Sequence, residues 1–596
     1  MTQKIVRAVI HPGVGVARIG NADEFYVGPQ VLSPAPKEPG AYHENGLLKR
    51  EAAEFRIYGY DADGAVVAEL TADNAEIEWS AHLAAMKAAW YKFRAAMDLP
   101  EAKDFSLERR NPNYPADRRA DLTIDPGPRQ IGGRNAGAAG EAVFAGNFKY
   151  ETHNVDVTIG ELRTDAAGRL RVLSGQGASG SPAGLPVFNR NETDPFGNAP
   201  GWYDEAADGP VSATVNIDGE EIPCEGAWVV VAPPNYAPDL VSWRTLLDLL
   251  DDLWREAGWM TAPEEVSFTR DIYPLLGRLS KLQWVNRGFA AFFGPGAPLD
   301  FDDPALIAKL SEVHGPADAY GSLRRTIFNA FRPVSGDGVS LRSQPWIYGD
   351  AFGTFPETNV ANGLPLWQAA AERMRRWADG DYVADWGQAT AQPSDISEVP
   401  LKDQPAMLDR SAMHFCVADA FHPGIEVTWT VRHLSIWEKP FRIRARAAGT
   451  GEPDYGDHLT TERALGADGP LHAQGPGGLT RWMALPWQID TAGCRSGYED
   501  AYDPSLPTFW PARVPNHVLT PENYAKVMNQ PGNLSDEERL EAFHDRRNWY
   551  FPLEKYGPDE MTFMVTHFSE MGVVERRDGP TDLPGAPETV YVERLG

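Results

Sequence analysis

The stretch AWVVVAPPNYAPDLVSWRTLLDLLDDLW at residues 227–254 contains the signals of a strand and of a helix in direct succession. Its β-branched start predicts a strand that ends at Pro233 and Pro234, because proline has no backbone N–H to donate to a neighbouring strand. A helix is expected to open near Asp239. Apolar residues then recur on one helical face, at Leu240, Trp243, Leu247, Leu250 and Trp254. Strand and helix therefore lie close together in this chain.

The rest of the chain mixes the two element types without a repeat. β-Branched, aromatic or alternating patterns predict strands at residues 4–10, 54–60, 155–164, 169–174 and 425–431. The turn from Asp165 to Gly168 joins two of these strands as a hairpin. Helical spacing or end signals predict helices at residues 79–97, at 365–379 and from a Ser535–Glu538 capping box to about Tyr550.

This order lacks a regular βαβ rhythm, which favours α+β over a doubly wound sheet. The predicted fold class is α+β, a mixed, β-rich fold with interspersed helices and long irregular loops, at 380–410 and 445–480. Three regions are expected: an N-terminal α+β region at 1–240, a largely helical middle region at 241–410 and a C-terminal region at 411–596 that carries the functional site.

Composition narrows the class of protein. The net charge of −29 repels phosphate backbones, so nucleic acid is not an expected partner. The start MTQKIVRAVIHPGVG lacks the apolar core of a signal peptide, and no apolar stretch is long enough to span a bilayer. We expect a cytoplasmic protein with no membrane contact, although unconventional export stays open. Three cysteines are too few for a disulfide framework and match no zinc motif.

Two local patterns resemble known binding motifs only in part. HPGVGVARIG at 11–20 does not keep the spacing of a dinucleotide-binding loop, so a structural turn is the better interpretation. His414 and His422 bracket Cys416, and such a trio can bind copper or iron. That alternative needs ligands from elsewhere in the chain, and no metal site is predicted from it.

Residues 481–520 stand out: RWMALPWQIDTAGCRSGYEDAYDPSLPTFWPARVPNHVLT. The segment contains one cysteine, two tryptophans, several acids and a histidine, with prolines at both ends. Composition alone favours a loop-rich region with packed aromatics and an inert, buried cysteine.

Several blocks resemble the LodA-like family of quinoprotein amino-acid oxidases, which includes lysine ε-oxidase and glycine oxidase. They follow one another along nearly the whole chain, as VARIGN (16–21), FRIYGYDADG (55–64), IEWSAHLAAMKAAWYKF (77–93), TIGELRTDAAGRLRVLSGQG (158–177), GWYDEAADGPVSATV (201–215), GAWVVVAPPNYAP (226–238), FTRDIYPLL (268–276), FHPGIEVTW (421–429) and the PWQID…C…FWPARVPN region. An ordered set of this length is more specific than any single short motif.

The resemblance implies a cofactor made from the chain itself, cysteine tryptophylquinone (CTQ). By position, Cys494 and Trp510 are its two halves, joined by a thioether cross-link. Asp490, four residues before Cys494, corresponds to the acid that the family needs to build the cofactor; a nearby carboxylate can accept protons as the indole is oxidised. Other tryptophans remain alternatives for the ring: Trp482, Trp487 and Trp549.

The resemblance also suggests groups around the quinone. The FHPGIE block is closer to the glycine-oxidase branch and makes His422 a candidate catalytic group, with a structural histidine as an equal alternative. His517 is a second candidate, for positioning substrate or oxygen. Arg513 is a candidate for the substrate carboxylate, against an ordinary surface ion pair. Cys416 either lines the pocket or is an inert thiol.

By this resemblance the protein oxidatively deaminates a primary amine of glycine or another L-amino acid with O2, releasing ammonia and hydrogen peroxide. The family also implies a separate flavoprotein that matures the quinone, and a homodimer or homotetramer. Two alternatives stay open. One is a related oxidase acting on a peptide or another primary amine. The other is a non-enzymatic scaffold of the same fold, although the retained Asp490, Cys494 and Trp510 argue against it.

Overall fold

A computed structural model describes most of the chain. The described residues are 4–94, 96–99, 102–189, 191–192, 194–313, 318–334, 343–346, 364–388, 392–418, 428–447, 449–493, 513–530, 532–553 and 558–596.

Strands dominate the first 232 residues and occur again near the C-terminus. Their bounds are β1 (Arg7–His11), β2 (Val14–Arg18), β3 (Phe25–Val27), β4 (His43–Glu44), β5 (Leu47–Leu48), β6 (Arg50–Tyr60), β7 (Val66–Leu70), β8 (Glu76–Ala81), β9 (Ser106–Glu108), β10 (Arg129–Gly132), β11 (Val143–Tyr150), β12 (His153–Thr164), β13 (Leu170–Ser174), β14 (Ala207–Ile217), β15 (Glu220–Ile222), β16 (Cys224–Glu225), β17 (Ala227–Ala232), β18 (Trp437–Lys439), β19 (Arg442–Ile443), β20 (His458–Thr460), β21 (His517–Val518), β22 (Arg547–Asn548), β23 (Val573–Asp578) and β24 (Thr589–Arg594).

The α-helices follow the main run of strands. Their bounds are α1 (Leu246–Glu256), α2 (Tyr273–Lys281), α3 (Arg287–Phe293), α4 (Pro304–Ser311), α5 (Gly321–Ala330), α6 (Gln368–Ala378), α7 (Gln404–His414), α8 (Thr428–Val431), α9 (Thr461–Leu465), α10 (Trp487–Gly493), α11 (Pro521–Val527), α12 (Asp536–His544) and α13 (Pro558–His567). No helix among the described residues is long and apolar enough to cross a membrane.

One large mixed sheet organises the molecule. Within the described residues it has fourteen strands, with the central order β10-β8-β14-β17-β2-β6-β13-β12-β11. β17 pairs with β2 in parallel and with β14 in antiparallel fashion, so the sheet is mixed. The prediction of an α+β, β-rich fold with interspersed helices is confirmed.

Several local predictions are confirmed. β12 and β13 form the hairpin expected at residues 155–174, and Gly168 adopts φ +82°, a conformation that glycine tolerates best. Helix α6 ends just before Gly380, which also has a positive φ. Helix α12 begins with the Ser535–Glu538 capping box, although it ends at His544 rather than near Tyr550.

The helix after β17 begins later than expected. It starts at Leu246, not near Asp239, because Thr245 and Asp248 form a capping box in which each side chain accepts from the other's backbone N–H. Trp243 therefore precedes the helix and stacks on Phe331 at 5.9 Å between ring centroids. The apolar residues before Leu246 are therefore buried on a segment without regular secondary structure.

Two further predictions are wrong. The described residues between 79 and 97 do not form the predicted helix. Trp79 belongs to β8, which pairs with β14 and β10, and in the described part of this range only a short 3-10 helix follows, at Lys87–Ala89. Pairing with distant strands overrides the local helical spacing. Of the predicted strand at 425–431, the described part, Thr428–Val431, is helical.

The two predicted loop regions contain more structure than expected. Helix α7 begins at Gln404, inside 380–410, and β20 with α9 lies inside 445–480. The glycine-rich stretch at 11–20 forms β1, a turn and β2, as the structural interpretation predicts.

Candidate active site

The segment from Thr480 to Gly493 leads into the predicted quinone residues. It begins with a 3-10 helix at Thr480–Trp482 and continues into α10 (Trp487–Gly493). The Asp204 carboxylate accepts a hydrogen bond of 2.9 Å from the backbone N–H of Trp487, the first residue of α10. This contact ties the start of the helix to the loop before β14.

A buried ion pair supports the same segment. Lys87 Nζ donates to Asp204 Oδ2 at 2.6 Å and to the carbonyl oxygen of Ala484 at 2.9 Å. Both charged side chains are almost completely buried. Burial lowers the pKa of Lys87, and the negative charges of Asp204 and Asp490 counteract that effect. Lys87 therefore pairs with Asp204, which anchors the start of α10, and also interacts electrostatically with Asp490 on the same helix.

Arg110 holds the backbone around this ion pair. Arg110 is 1% exposed. It donates to five acceptors, four of them backbone carbonyls: Lys87 O, Gly197 O, Arg481 O, Met483 O and Asn198 Oδ1. Because the five donors of a guanidinium have a fixed geometry, Arg110 fixes the relative positions of these backbone segments.

Asp490 lies on α10, and its side chain is fully buried. It comes four residues before Cys494. Cys494, Trp510 and His422 lie outside the described residues, so their assignment as quinone pair and catalytic histidine stays a prediction. The role of Asp490 in building the cofactor likewise stays a prediction.

The alternative tryptophans are all buried in aromatic packing. Trp487 meets Phe568 edge to face at 5.3 Å, and Trp482 meets Trp90 in the same way at 5.1 Å. Trp549 donates its indole N–H to Gly572 O at 2.8 Å. These contacts are those of core residues.

His517 opens β21 and is only partly exposed. Its Nδ1 lies 2.9 Å from Asn516 Oδ1. Burial, together with the positive charges of Arg287 and Arg546, lowers the pKa of His517 to about 4. The ring is therefore neutral near pH 7, which suits hydrogen bonding better than the role of a cationic group.

Cys416 and His414 lie at the end of α7. Cys416 is buried, and its Sγ is 3.8 Å from Arg18 Nη2 and 3.4 Å from Ala412 O. Burial and nearby arginines lower the pKa of His414 to about 3. Within the described part of the chain, no group of three or more His, Cys, Asp or Glu side chains is arranged to hold a metal ion.

Arg513 is buried rather than at the surface. Its carbonyl oxygen accepts from Tyr236 N at 3.0 Å. The positive charge of Arg513 acts on the carboxyl of Glu51 and on His414. The alternative of an ordinary surface arginine is therefore wrong, and the guanidinium lies in the interior near β6 and α7.

The sequence analysis missed the supporting charges Lys87, Asp204 and Arg110. Two of them lie in quoted blocks, Lys87 in 77–93 and Asp204 in 201–215. In the sequence each appears as a charged residue near apolar ones. This pattern indicates a buried ion pair only when the partner residue is known. The partners are far apart in the chain, so spacing alone does not pair them.

Comparison with known proteins shows the family of this chain. The family model described as L-Lysine epsilon oxidase N-terminal matches residues 11–231, and the L-lysine epsilon oxidase C-terminal domain matches residues 349–510. The L-lysine 6-oxidase of Marinomonas mediterranea is 27% identical over 579 residues, which covers 83% of this chain and 72% of the relative.

Solved structures show the same fold. The L-Lys epsilon-oxidase of Marinomonas mediterranea aligns with a TM-score of 0.65 at 22% identity, over 98% of this chain and 94% of that one. Its Schiff base intermediate with L-Lys aligns equally well, with 23% identity. Fold and matches together define an oxidoreductase of the amino-acid oxidase class. Within that class, the chain belongs to the LodA-like family.

Proposed function

We propose that this protein is a quinoprotein oxidase that deaminates a primary amine of an amino acid. The amine, water and O2 would give an aldehyde or oxo acid, ammonia and hydrogen peroxide. The observation that carries the proposal is the buried carboxylate of Asp490 on the anchored helix α10, four residues before Cys494, in a chain matched by both halves of the family.

The proposed cofactor is cysteine tryptophylquinone, formed from Cys494 and Trp510. When formed, it supplies an electrophilic carbonyl and an electron sink that unmodified side chains lack. Asp490 is the proposed proton acceptor during its assembly, and the Lys87–Asp204 pair positions the helix that carries Asp490. His422 and His517 are the further proposed groups for proton transfer and positioning. Because His517 is neutral near pH 7, its proposed part is positioning.

The proposed substrates are O2 and an amino acid. The sequence leaves open whether this amino acid is glycine or another L-amino acid. Maturation by a separate flavoprotein and assembly into a homodimer or homotetramer are also proposed. The Schiff base recorded for the related L-Lys epsilon-oxidase supports a carbonyl cofactor, since an amine forms a Schiff base only with a carbonyl group.

The test is the mass of tryptic fragments from protein made with and without the flavoprotein. Trypsin separates residues 482–495 from residues 496–513, so Cys494 and Trp510 fall in different fragments. Cross-linking and oxidation join the fragments and add about 28 Da by covalent bookkeeping. The joined, heavier species is expected only after maturation, together with visible absorbance.

Matched variants make the test specific. Cys494→Ser and Asp490→Asn are expected to give separate, unmodified fragments, whereas Cys224→Ser, which changes a cysteine in β16, leaves the cross-link intact. Unmodified fragments from the matured wild-type protein would overturn the quinoprotein proposal and favour the scaffold.

A further inference from the structure

Four buried charges lie close together around the start of α10. Lys87 and Arg110 are the cations, and Asp204 and Asp490 are the carboxylates. Each of the four residues is at most 2% exposed. Because a charge removed from water is stable only beside an opposite charge or strong hydrogen bonds, the ionisation of each group depends on the other three.

The ammonium of Lys87 is held tightly and shielded from bulk water. Its Nζ donates to Asp204 Oδ2 at 2.6 Å and to Ala484 O at 2.9 Å. The cavity beside it has a volume of about 10 Å³ and is also lined by Asp204 and Leu485. That volume has room for no more than about one water molecule. The charge of Lys87 therefore acts on its neighbours with little screening.

Asp490 is one of these neighbours. Asp204 Oδ2 also accepts from the backbone N–H of Trp487, and Asp490 follows Trp487 by three residues, on the same helical face. Burial lowers the pKa of Lys87, and the negative charges of Asp204 and Asp490 counteract this effect. Since a Coulomb interaction stabilises both partners equally, the charge of Lys87 stabilises Asp490 as an anion.

Arg110 supplies the second positive charge. Burial lowers its pKa to about 9, and Asp204 counteracts this effect, so the guanidinium is still a cation near pH 7. Its donors are directed at backbone carbonyls and at Asn198 Oδ1. Two cations thus face two carboxylates, and loss of Lys87 would leave one carboxylate without a balancing charge.

The other ionisable groups on the elements packed around α10 do not replace Lys87. Burial raises the pKa of Glu205, beside Asp204, well above its usual range, so Glu205 keeps its proton near pH 7. Helix α13 packs against α10 and carries Asp559, Glu560 and His567. Two of these three groups are acids, so α13 adds negative rather than positive charge.

We infer that Lys87 is a positioning residue for cofactor assembly, because it holds Asp490 as the anion that accepts a proton there. This inference deepens the proposed function and rests on it. In the cross-linking step one C–S bond forms, while the S–H bond of Cys494 and one ring C–H bond of Trp510 break. Two electrons and one proton reduce the oxidised flavin of the maturation partner, and the second proton goes to the Asp490 carboxylate.

Lys87→Gln removes the charge but keeps an amide that can donate to Asp204 and Ala484. The rate of cross-link formation after addition of the flavoprotein is measured by the mass of the joined tryptic fragments. At pH 7 it should fall about 10-fold, the effect on the ionised fraction of losing one nearby opposite charge. Lys92→Gln is the matched control: Lys92 lies in the same segment but pairs with the partly exposed Glu108, so the rate should be unchanged.

Two further measurements separate the charge of Lys87 from its part in anchoring α10. Asp204→Asn imitates a neutral Asp204 and still accepts from Trp487 N, so it should slow cross-linking less than Lys87→Gln does. At pH 9 Asp490 should lose its proton even without Lys87. The rate of Lys87→Gln relative to wild type should therefore recover at pH 9, whereas a displaced helix would not respond to pH.

A wild-type rate in folded Lys87→Gln would overturn the inference and leave the quinoprotein proposal standing. Equal losses in Lys87→Gln and Asp204→Asn, without recovery at pH 9, would also overturn it, since the ion pair would then only anchor the helix. Should Lys87→Gln not fold, loss of the cross-link in folded Asp204→Asn would contradict the inference, because that variant retains the Lys87 charge. A wild-type chain that never cross-links would refute the proposed function itself, and the inference with it.

Discussion

Lys87 and Asp204 form an ion pair that almost no water reaches, and this pair supports the segment before α10. Lys87→Met leaves the Asp204 carboxylate buried without its cation. The expected loss in the free energy of unfolding is roughly 3–5 kcal/mol, as for other buried pairs broken on one side. Chemical denaturation of the full-length protein measures it.

Lys92→Met is the control for that prediction. Lys92 pairs with Glu108 at 2.7 Å, but Glu108 is partly exposed, so the expected loss is about 0–1 kcal/mol. Similar losses in the two variants would show that the buried Lys87–Asp204 pair contributes no more than the partly exposed Lys92–Glu108 pair.

A second residue-scale prediction concerns pH. The pKa of His517 falls from 6.5 to about 4 in the folded protein, because burial and two arginines disfavour its charged form. The unfolded chain therefore binds this proton first as the pH falls from 6.5 towards 4, and folding stability is lost over that range. His517→Asn should reduce the loss in melting temperature between pH 7 and pH 4.5.

The same shift bears on catalysis. Because His517 does not titrate between about pH 5 and pH 8, its replacement should leave the apparent pKa values of the kcat/KM profile unmoved. A displaced limb in the profile of His517→Asn would contradict this prediction.

At the scale of elements, the loop after β13 is fitted closely to the support of α10. Gly177 has φ +82°, and a Cβ atom there would lie 2.1 Å from the Phe568 ring, which packs on Trp487. Gly177→Ala should therefore displace Phe568 and lower the melting temperature well beyond the cost of the backbone conformation alone. Differential scanning fluorimetry is sufficient to measure it.

Gly184→Ala isolates the backbone term. Gly184 also has a positive φ, but a Cβ atom there meets nothing within 4 Å, so only about 1–2 kcal/mol of conformational strain is expected. If Gly177→Ala were no more destabilising than Gly184→Ala, the close contact with Phe568 would be unimportant.

At the scale of the whole molecule, the predicted region boundary at residue 240 separates segments that depend on each other. The buried Asp208 carboxylate accepts from the backbone N–H groups of Leu479 and Thr480, and Gly13 N donates to Asp409. A fragment of residues 1–240 would expose these groups and the apolar surface around them.

That fragment is therefore expected to show no cooperative thermal transition when expressed alone. Co-expression with residues 241–596 should restore a soluble complex, measured by circular dichroism and size-exclusion chromatography. A monodisperse 1–240 fragment with a sharp transition would show that the N-terminal region folds as an independent unit.

Short-range signals were readable from the amino-acid order. The β12–β13 hairpin, the end of α6 at Gly380 and the capping box of α12 each depend on hydrogen bonds or dihedral angles within a few residues. The spacing of Asp490 and Cys494 is also local. The ordered family blocks indicate the class of enzyme.

Long-range contacts were not readable in the same way. The apolar residues between 79 and 97 have helical spacing. Trp79 nevertheless lies in a strand, because it pairs with β14, more than a hundred residues later in the chain. Glu51 and Arg18 come from neighbouring strands, and Cys416, two residues after the end of α7, lines the same cavity as these two residues. Burial and charge compensation depend on which distant segments meet, so folding, and not local spacing, brings Glu51, Arg18 and Cys416 into one cavity.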